Sequence, residues 1–510
     1  MTVFAPGASV QLPFTRVANR RTTSLSGIPH LSIDAFRDAI SGAVLNGWRI
    51  VALFGMPEDS ASLSLVAVLA DDKRGQLHLA RSLVAERYAA VAAVCAQAER
   101  FEREIAEQCG VFPEGHPRLT PLRRHPADHR PAAWPNARGD DAYPFADFDS
   151  DEVHEVAVGP VHAGIIEPGH FRFRAHGEDV LALEIVLGYQ HRGVETLLET
   201  RDLRGAVLVA ESIAGDTVIA HASAYCGAIE ALGRCHKSAR AQSIRGVALE
   251  LERIANHVGD LGAIAADVAY QPAAAFCGRL RGDCLNMLMM ISGSRYGRGL
   301  IRTGGTTFDI SGDMARDLIA RVTRLEHELP AVVELMFGSP SVQSRLDGVG
   351  VVTPAQCITH GFVGPTARAC DVARDVRHDH PYGVFRYAQI PVATTWSGDV
   401  YARALIRWLE VQRSLEFIRE QLGSLPAGAS RLACGPFAPS EIVVAMEEGW
   451  RGEVVHVAVT DERGQIRRHK VVDPSFRNWT ALALAMPGNQ ISDFPLCNKS
   501  FNLSYAGHDL

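Results

Sequence analysis

The chain has 510 residues, 47% hydrophobic and 21% charged, with a net charge of −7 at pH 7. That length supports two or three domains, each with its own core, in a composition ordinary for a globular protein. The acidic balance gives no electrostatic reason to expect a nucleic-acid partner. No window offers the roughly 18–20 uninterrupted apolar residues of a membrane span; the nearest, 206–226, is broken by Glu211, Asp216 and His221.

In chain order, the first thirty residues are polar and turn-rich, lack a basic-then-apolar signal pattern, and read as a mobile lead-in. Phe36, Ile40 and Val44 recur every four residues and predict a short amphipathic helix ending near Gly47. β-like runs follow at 48–54 and 63–69, separated by the turn material MPEDSAS. Residues 77–108 read as a return to helix, closing on ERFEREIAEQ with its charges mixed along one face. Residues 118–150 are dense in Pro, Arg, Asp and His and read as a linker draped over the outside. His125 and His129 have an i,i+4 spacing there, but Pro126 and Pro131 argue against a helix that would bring them together.

The stretch 159–230 combines a Gly/Pro/His-rich turn, a glycine-punctuated strand pair and a helix beginning near Thr196. Beyond it, Ile244, Val247, Leu251, Ile254, Val258 and Leu261 alternate at spacings of three and four, the apolar face of a central bundle helix. Glu250, Arg253 and His257 lie off that seam, either as a polar path or as an interhelical ion-pair set. Arg368, Arg374, Asp375, Arg377, Asp379 and His380 form a strongly charged stretch, read either as cavity lining or as an ion-paired surface. Helices are predicted over 311–339 and 398–423, and a β-hairpin at 453–459 and 466–472. The predicted fold class is α+β: a small α+β domain at 1–117, the linker at 118–150, and a mostly helical domain with peripheral β-hairpins at 151–510. The ten cysteines include no Cys-x-x-Cys pair and are expected to be reduced, packed thiols rather than cluster ligands or a disulfide framework.

Four segments carry a resemblance: GPVHAGIIEPGHFRFR and ESIAGDT within 159–230, SRYGRGLIRTGG at 294–305, and ITHGFVGPTARACDVARDVRHDHPYGVF at 358–385. They resemble the large catalytic subunit of membrane-bound (group 4, formate-hydrogenlyase type) nickel–iron hydrogenases. That family also includes the 49 kDa quinone-site subunit of respiratory complex I. CGVFPEGHPRLTPLRRH at 109–125, with the α+β pattern before it, resembles the complex I 30 kDa subunit, here fused ahead of the large one. The resemblance implies an iron–sulfur small subunit carrying a [4Fe-4S] cluster, and membrane antiporter-like and anchor subunits. It places the chain on the inner face of the cell membrane, with no cofactor bound by the chain itself and a quinone among the acceptors to consider.

The resemblance fails where metal would bind. The family's Glu-Arg-Ile-Cys-Gly-x-Cys falls on 211–217, which puts Ala214 and Thr217 at the cysteine positions. Its Asp-Pro-Cys-x-x-Cys is read at 473–478, with Ser475 and Asn478 in place of the second pair. A nickel–iron centre needs soft thiolates, so hydrogenase activity is the least supported expectation. The family's quinone-binding tyrosine falls on Gly215, and the hairpin loop offers His162 and His170 as the headgroup histidine. Glu167 matches a proton-relaying glutamate or is a loop acceptor, and Glu195 is read the same way. Arg368 and His380 are candidate cavity or cluster-facing groups. Asp216, flanked by apolar residues, is a candidate proton acceptor, since burial there would raise its pKa. The tail beyond these positions is expected to stay and pack through Phe494, Leu496, Phe501, Leu503 and Tyr505. Two functions follow: a subunit coupling electron transfer to ion translocation, or a non-catalytic scaffold in such a complex.

Overall fold

The structure is a computed structural model and describes residues 13–58, 62–123, 125, 143–145, 152–162 and 166–510. It opens with strands β1 (Thr15–Val17), β2 (Thr22–Ser24) and β3 (His30–Leu31), so 15–31 is built into sheets and is not a loose lead-in. Helix α1 (Ile33–Leu45) follows where the four-residue periodicity places it. Ser32 caps it by accepting the Ala35 N–H, and Phe36 and Ile40 are buried beneath it. Strands β4 (Arg49–Pro57), β5 (Leu63–Asp71) and β6 (Gln76–Val84) complete an antiparallel sheet in the order β1-β6-β5-β4, with β3 parallel to β6.

Residues 76–84 are therefore a strand where helix was expected. Leu63 to Asp71 need a partner on their inner edge, and β6 pairs with all of them, from Leu63↔Val84 to Asp71↔Gln76. Sheet pairing overrides the helical leaning of that leucine-rich sequence. A short strand β7 (Arg87–Ala89) pairs with β8 (Phe112–Glu114), and helix in this stretch is confined mainly to α2 (Glu99–Cys109). The carboxylate of Glu102 fastens α2 by accepting the Val91 and Ala92 N–H groups, both at 2.8 Å.

Near the start of the segment expected as a linker, residues 120–123 are packed rather than draped over the outside. Thr120, Leu122 and Arg123 are buried, and Arg123 pairs with Glu104 of α2 at 2.5 Å. His129, Pro126 and Pro131 lie outside the described residues, whereas His125 sits 3.6 Å from Glu107.

The second part starts with the sheet β9 (His154–Val158), β10 (His170–His176) and β11 (Asp179–Val186), with β10 in the middle. Short helices α3 (Val194–Thr200) and α4 (Leu203–Ala210) lead to α5 (Val218–Leu232) and to α6 (Ala239–Asp267). Ser238 caps α6 at its start. Its 244–261 seam is buried throughout, against α7 (Gln271–Ser292) on one side. A hairpin, β12 (Ile301–Arg302) and β13 (Gly305–Thr306), precedes α8 (Gly312–Phe337) and α9 (Pro340–Leu346). Then come α10 (Pro354–His360), α11 (Pro365–Arg368), α12 (Val376–Asp379) and α13 (Val400–Gly423), the last packed along α6.

Strands β14 (Glu441–Gly449), β15 (Gly452–Thr460) and β16 (Ile466–Val472) include the predicted hairpin plus one strand not read from sequence. Their sheet runs β16-β15-β14-β2, so the N-terminal part supplies its fourth strand. The chain closes with α14 (Pro474–Ala485), α15 (Phe494–Phe501) and α16 (Tyr505–Asp509). Phe494, Leu496, Phe501, Leu503 and Tyr505 are all buried, so the tail packs as expected.

The architecture is α+β. No described helix is long and apolar enough to cross a membrane. The expectation of ten reduced thiols is corrected: Cys235, after α5, is bonded to Cys434, before β14, with their Cα atoms 4.7 Å apart. This loop pair is brought within disulfide reach by α5 crossing the β14–β15 surface, a juxtaposition invisible in the spacing.

Candidate functional site around Asp216 and Arg451

The loop between α4 and α5 is held from every side by backbone contacts. Arg192 donates to the carbonyls of Ser212 at 3.0 Å and Ile213 at 3.2 Å. Glu211 accepts the Gly299 N–H at 2.9 Å and pairs with Arg302 at 2.5 Å. The Asp216 carbonyl receives the Trp450 indole N–H at 2.9 Å and the Asn256 amide at 3.0 Å. Ala214 and Thr217 are both buried.

Asp216 itself faces Arg451, which follows β14. The two guanidinium nitrogens meet the two carboxylate oxygens at 2.5 and 2.8 Å. Nη1 also donates to the Thr217 hydroxyl at 3.1 Å, and the guanidinium lies 3.8 Å from the Trp450 ring centroid. Arg451 Nε donates to the Asn502 carbonyl at 2.5 Å. The Asn502 amide in turn donates to Asp260 at 2.6 Å, which pairs with Arg407 at 2.7 Å. Burial, the condition attached to Asp216 as a proton acceptor, is thus only partly met. Its side chain is 32% exposed, and its charge is matched by a cation.

A raised carboxyl does exist close by, one the sequence reading missed. Thr217 makes no side-chain cap for α5; instead Glu252 of α6 accepts the N–H groups of Ile219 at 2.7 Å and Ala220 at 3.3 Å. Burial pushes the Glu252 carboxyl up to about 8, the two N–H groups oppose that, and the like charge of Asp216 adds to it.

Glu167 also belongs here. It is exposed at the residue level, yet the Tyr505 N–H donates to its carboxylate, and it feels Arg451 and Asp216. Partial desolvation raises its pKa, with Arg451 opposing and Asp216 assisting. The tail forms the next wall. Asp509 accepts the Gly188 and Gln190 N–H groups at 2.8 Å, and the Leu510 carbonyl accepts the Arg192 N–H at 2.7 Å.

Other expected site residues are placed elsewhere. The His162 ring bonds the Gly169 carbonyl through Nε2 at 2.8 Å and the His170 ring the Gly159 carbonyl through Nδ1 at 3.3 Å, so one nitrogen of each is held by their own hairpin loop. The hydrogen bonds of Ser475 and Asn478 go to Ser504 and to both backbone groups of Val363, not to the 211–217 loop. Arg368 and His380 are fully interior. Arg368 pairs with Glu410 at 2.7 Å and Glu448 at 2.8 Å; His380 bonds Asp72 at 3.0 Å. Glu250, Arg253 and His257 join the same network, with Arg253 meeting Glu250 at 2.9 Å and His257 meeting Glu410 at 2.8 Å. The ion-pair reading holds for that stretch, but in the interior and not on a solvated surface. Glu195 pairs with Lys470 and Arg468, both at 2.8 Å. Against the desolvation that would raise it, those cations hold its carboxyl well below the usual range, which makes it an anchor for β16.

A tight bundle around a 29-residue helix, capped by the four-stranded sheet β16-β15-β14-β2 and a buried tail, frames this loop-lined site. The family model for the respiratory-chain NADH dehydrogenase 49 kDa subunit matches residues 267–434 and 430–509. The carbon monoxide-induced hydrogenase of Rhodospirillum rubrum is 31% identical over 69% of this chain and 97% of its own length. Formate hydrogenlyase subunit 5 of Escherichia coli is 28% identical over 80% of this chain and 74% of that one. An NADH-quinone oxidoreductase subunit of Clostridium beijerinckii is 27% identical over 67% and 93%. The chain belongs to the family of group 4 hydrogenase large subunits and complex I 49 kDa subunits.

Proposed function

We propose that this protein is the large subunit of a membrane-attached, complex-I-like oxidoreductase, without a nickel–iron centre of its own. It receives electrons from a [4Fe-4S] cluster on an iron–sulfur partner, delivers them to a quinone at the Asp216 site, and couples the transfer to ion movement through membrane subunits. The relatives' names, a hydrogenlyase subunit and a quinone oxidoreductase subunit, support the class of complex.

The observation that carries the metal-free reading is the Asp216–Arg451 pair. Beside it, Ala214 offers only a methyl group, Thr217 already receives Arg451, and both Asp216 oxygens are held by the same guanidinium. These residues do not fit a thiolate-held nickel–iron group. Quinone reduction needs two electrons and two protons, and Glu167 and Glu252 are carboxyls whose pKa is raised toward the range where they carry protons.

The scaffold reading has one observation in its favour: His162 and His170 each have one ring nitrogen tied to a carbonyl of their own loop. The complex purified through this chain decides between them. Substoichiometric nickel with iron at cluster stoichiometry, and soluble-quinone reduction lost in Arg451→Met, is the expected result. Stoichiometric nickel overturns the metal-free reading; absence of quinone turnover in the intact wild-type complex leaves the scaffold.

A further inference from the structure

The structure holds a second, wholly buried line of titratable groups that the site above does not use. His221 lies in the first turn of α5. His456 on β15 and His469 on β16 point to the sheet face that α5 covers, where Ala445 and Ala458 pack on Ala228 and Leu232. The Asp473 carboxylate meets His221 Nε2 at 3.0 Å, His221 Nδ1 meets His456 Nε2 at 3.2 Å, and His456 Nδ1 meets His469 Nε2 at 2.9 Å. All three rings are 0% exposed. His469 Nδ1 is buried with no hydrogen-bond partner among the described residues.

We propose that His469, His456 and His221 form a proton wire that ends on Asp473 and serves the Asp216–Arg451 site. The proposal rests on the reading of that site as one that takes up protons during quinone reduction.

The hydrogen-bond order is fixed from the inner end. A carboxylate can only accept, so His221 carries its proton on Nε2, which leaves Nδ1 to accept from His456; the same argument passes to His469. Every ring is therefore the Nε2–H tautomer, and the chain terminates in a bare lone pair on His469 Nδ1. A proton arriving there forms the Nδ1–H bond. The three Nε2–H protons then each move one link inward, and the last forms an O–H bond on Asp473. One proton is delivered, no electrons move, and the three rings are left in the opposite tautomer.

The two ends lie in different surroundings. Burial would raise the Asp473 carboxyl, but His221 and Arg451 hold it below its ordinary range, so it keeps a delivered proton only transiently, and that proton is felt by the guanidinium that holds Asp216. At the outer end, Glu199 accepts the His469 backbone N–H at 3.0 Å, and Glu199 and Glu195 line a cavity of about 700 Å³. The charged groups acting on the rings are Glu195 and Arg468 at His469, Glu195 at His456, and Asp473 at His221. Burial pushes His469 down to about 3 and His456 well below its ordinary range, so both rings stay neutral, as a relay requires.

The same geometry without proton movement would be a rigid strut between α5 and the sheet, and solvent exchange separates the two. In the ¹⁵N-histidine and ¹⁵N-tryptophan labelled chain within its complex, the His456 Nε2–H is compared with the buried Trp479 indole N–H after transfer to D₂O. The expected result is exchange about tenfold faster or more at His456, falling to the Trp479 rate in His469→Phe. Equal protection of His456 and Trp479 in the wild-type chain overturns the proposal. A second readout uses His469→Ala in the intact complex. Quinone reduction is expected to fall and to recover with added imidazoles in proportion to their basicity, whereas recovery that ignores basicity means a packing role and also overturns it. The exchange measurement needs no quinone, so it stands or fails independently of the function proposed above.

Discussion

Arg451 grips Asp216 through both guanidinium nitrogens across 235 residues of sequence, and the same cation reaches Thr217. Removing either partner leaves the other uncompensated, most expensively in Asp216→Asn, where a buried guanidinium loses its carboxylate. Because Asp216 is 32% exposed, solvent screens part of the interaction. A double-mutant cycle of Asp216→Asn and Arg451→Met, read by urea unfolding, is expected to give a coupling of about 1–2 kcal/mol. Additive effects of the two changes would mean that the pair is not coupled.

Glu252 makes stability depend on pH in a direction opposite to most carboxylates. Its folded pKa, about 8, lies above the unfolded value, so the folded state holds a proton that the unfolded state has lost. The contribution is complete below the unfolded pKa and disappears as pH rises through about 8, with a slope of at most about 1.4 kcal/mol per pH unit. Glu252→Gln, which keeps one acceptor for the Ile219 N–H but cannot ionise, is expected to flatten the decline between pH 5 and 8. Parallel wild-type and variant stability curves across that range would contradict the assignment.

Asp72 ties the N-terminal sheet to the large domain. Arg49 pairs with it at 2.8 Å and His380 at 3.0 Å, and Arg49 also reaches Glu453 at 2.6 Å. Although burial would raise it, Arg49 and His380 hold the Asp72 carboxyl far below its ordinary range. The resulting stabilisation is present above the unfolded carboxylate pKa and is lost as pH falls beneath about 4. Asp72→Asn is expected to cost about 1–3 kcal/mol near neutral pH. Its deficit should shrink in acid, and limited proteolysis should show earlier cleavage between the N-terminal sheet and the bundle.

Gly507 sits where nothing larger fits. A Cβ there would lie 2.6 Å from the Asp473 carboxyl carbon and 2.7 Å from one of its oxygens. Gly507→Ala is expected to destabilise by about 1–3 kcal/mol, since either α16 or the Asp473 side chain must move. A variant with unchanged unfolding would show that the tail has slack at this point.

The Cys235–Cys434 bond predicts that the chain, denatured without reductant, exposes eight reactive thiols, rising to ten after reduction. Ten thiols before reduction would place both sulfurs in the reduced state.

What the sequence makes legible is whatever repeats locally. The α6 seam from Ile244 to Leu261 and the 453–472 hairpin each declare a period, and both stand where the period puts them. Residues 76–84 mislead because LHLARSLV satisfies a strand alternation and a helical propensity together, and only the presence of β5 chooses. Strand β14 escapes notice because its adjacent glutamates near the end look exposed, whereas Glu447 and Glu448 are buried against Arg20 and Arg368. At the site, Asp216 is visible through its position beside two substituted cysteines. Arg451, Glu252 and Arg192 are not, because their roles arise only from the folding of distant segments onto one loop. The three histidines lie at 221, 456 and 469, and no spacing rule joins them.

Thr22, Thr23 and Ser24 pair with Val443, Ile442 and Glu441, so the outermost position of the C-terminal sheet is filled from the far end of the chain. A polypeptide cut between the two parts would leave the bare side of β14 with unsatisfied amides and carbonyls, a template for any free strand, including another copy of itself. Joining the two modules in one polypeptide therefore guarantees a guard strand at a fixed stoichiometry. Separately produced halves would expose that edge until they met.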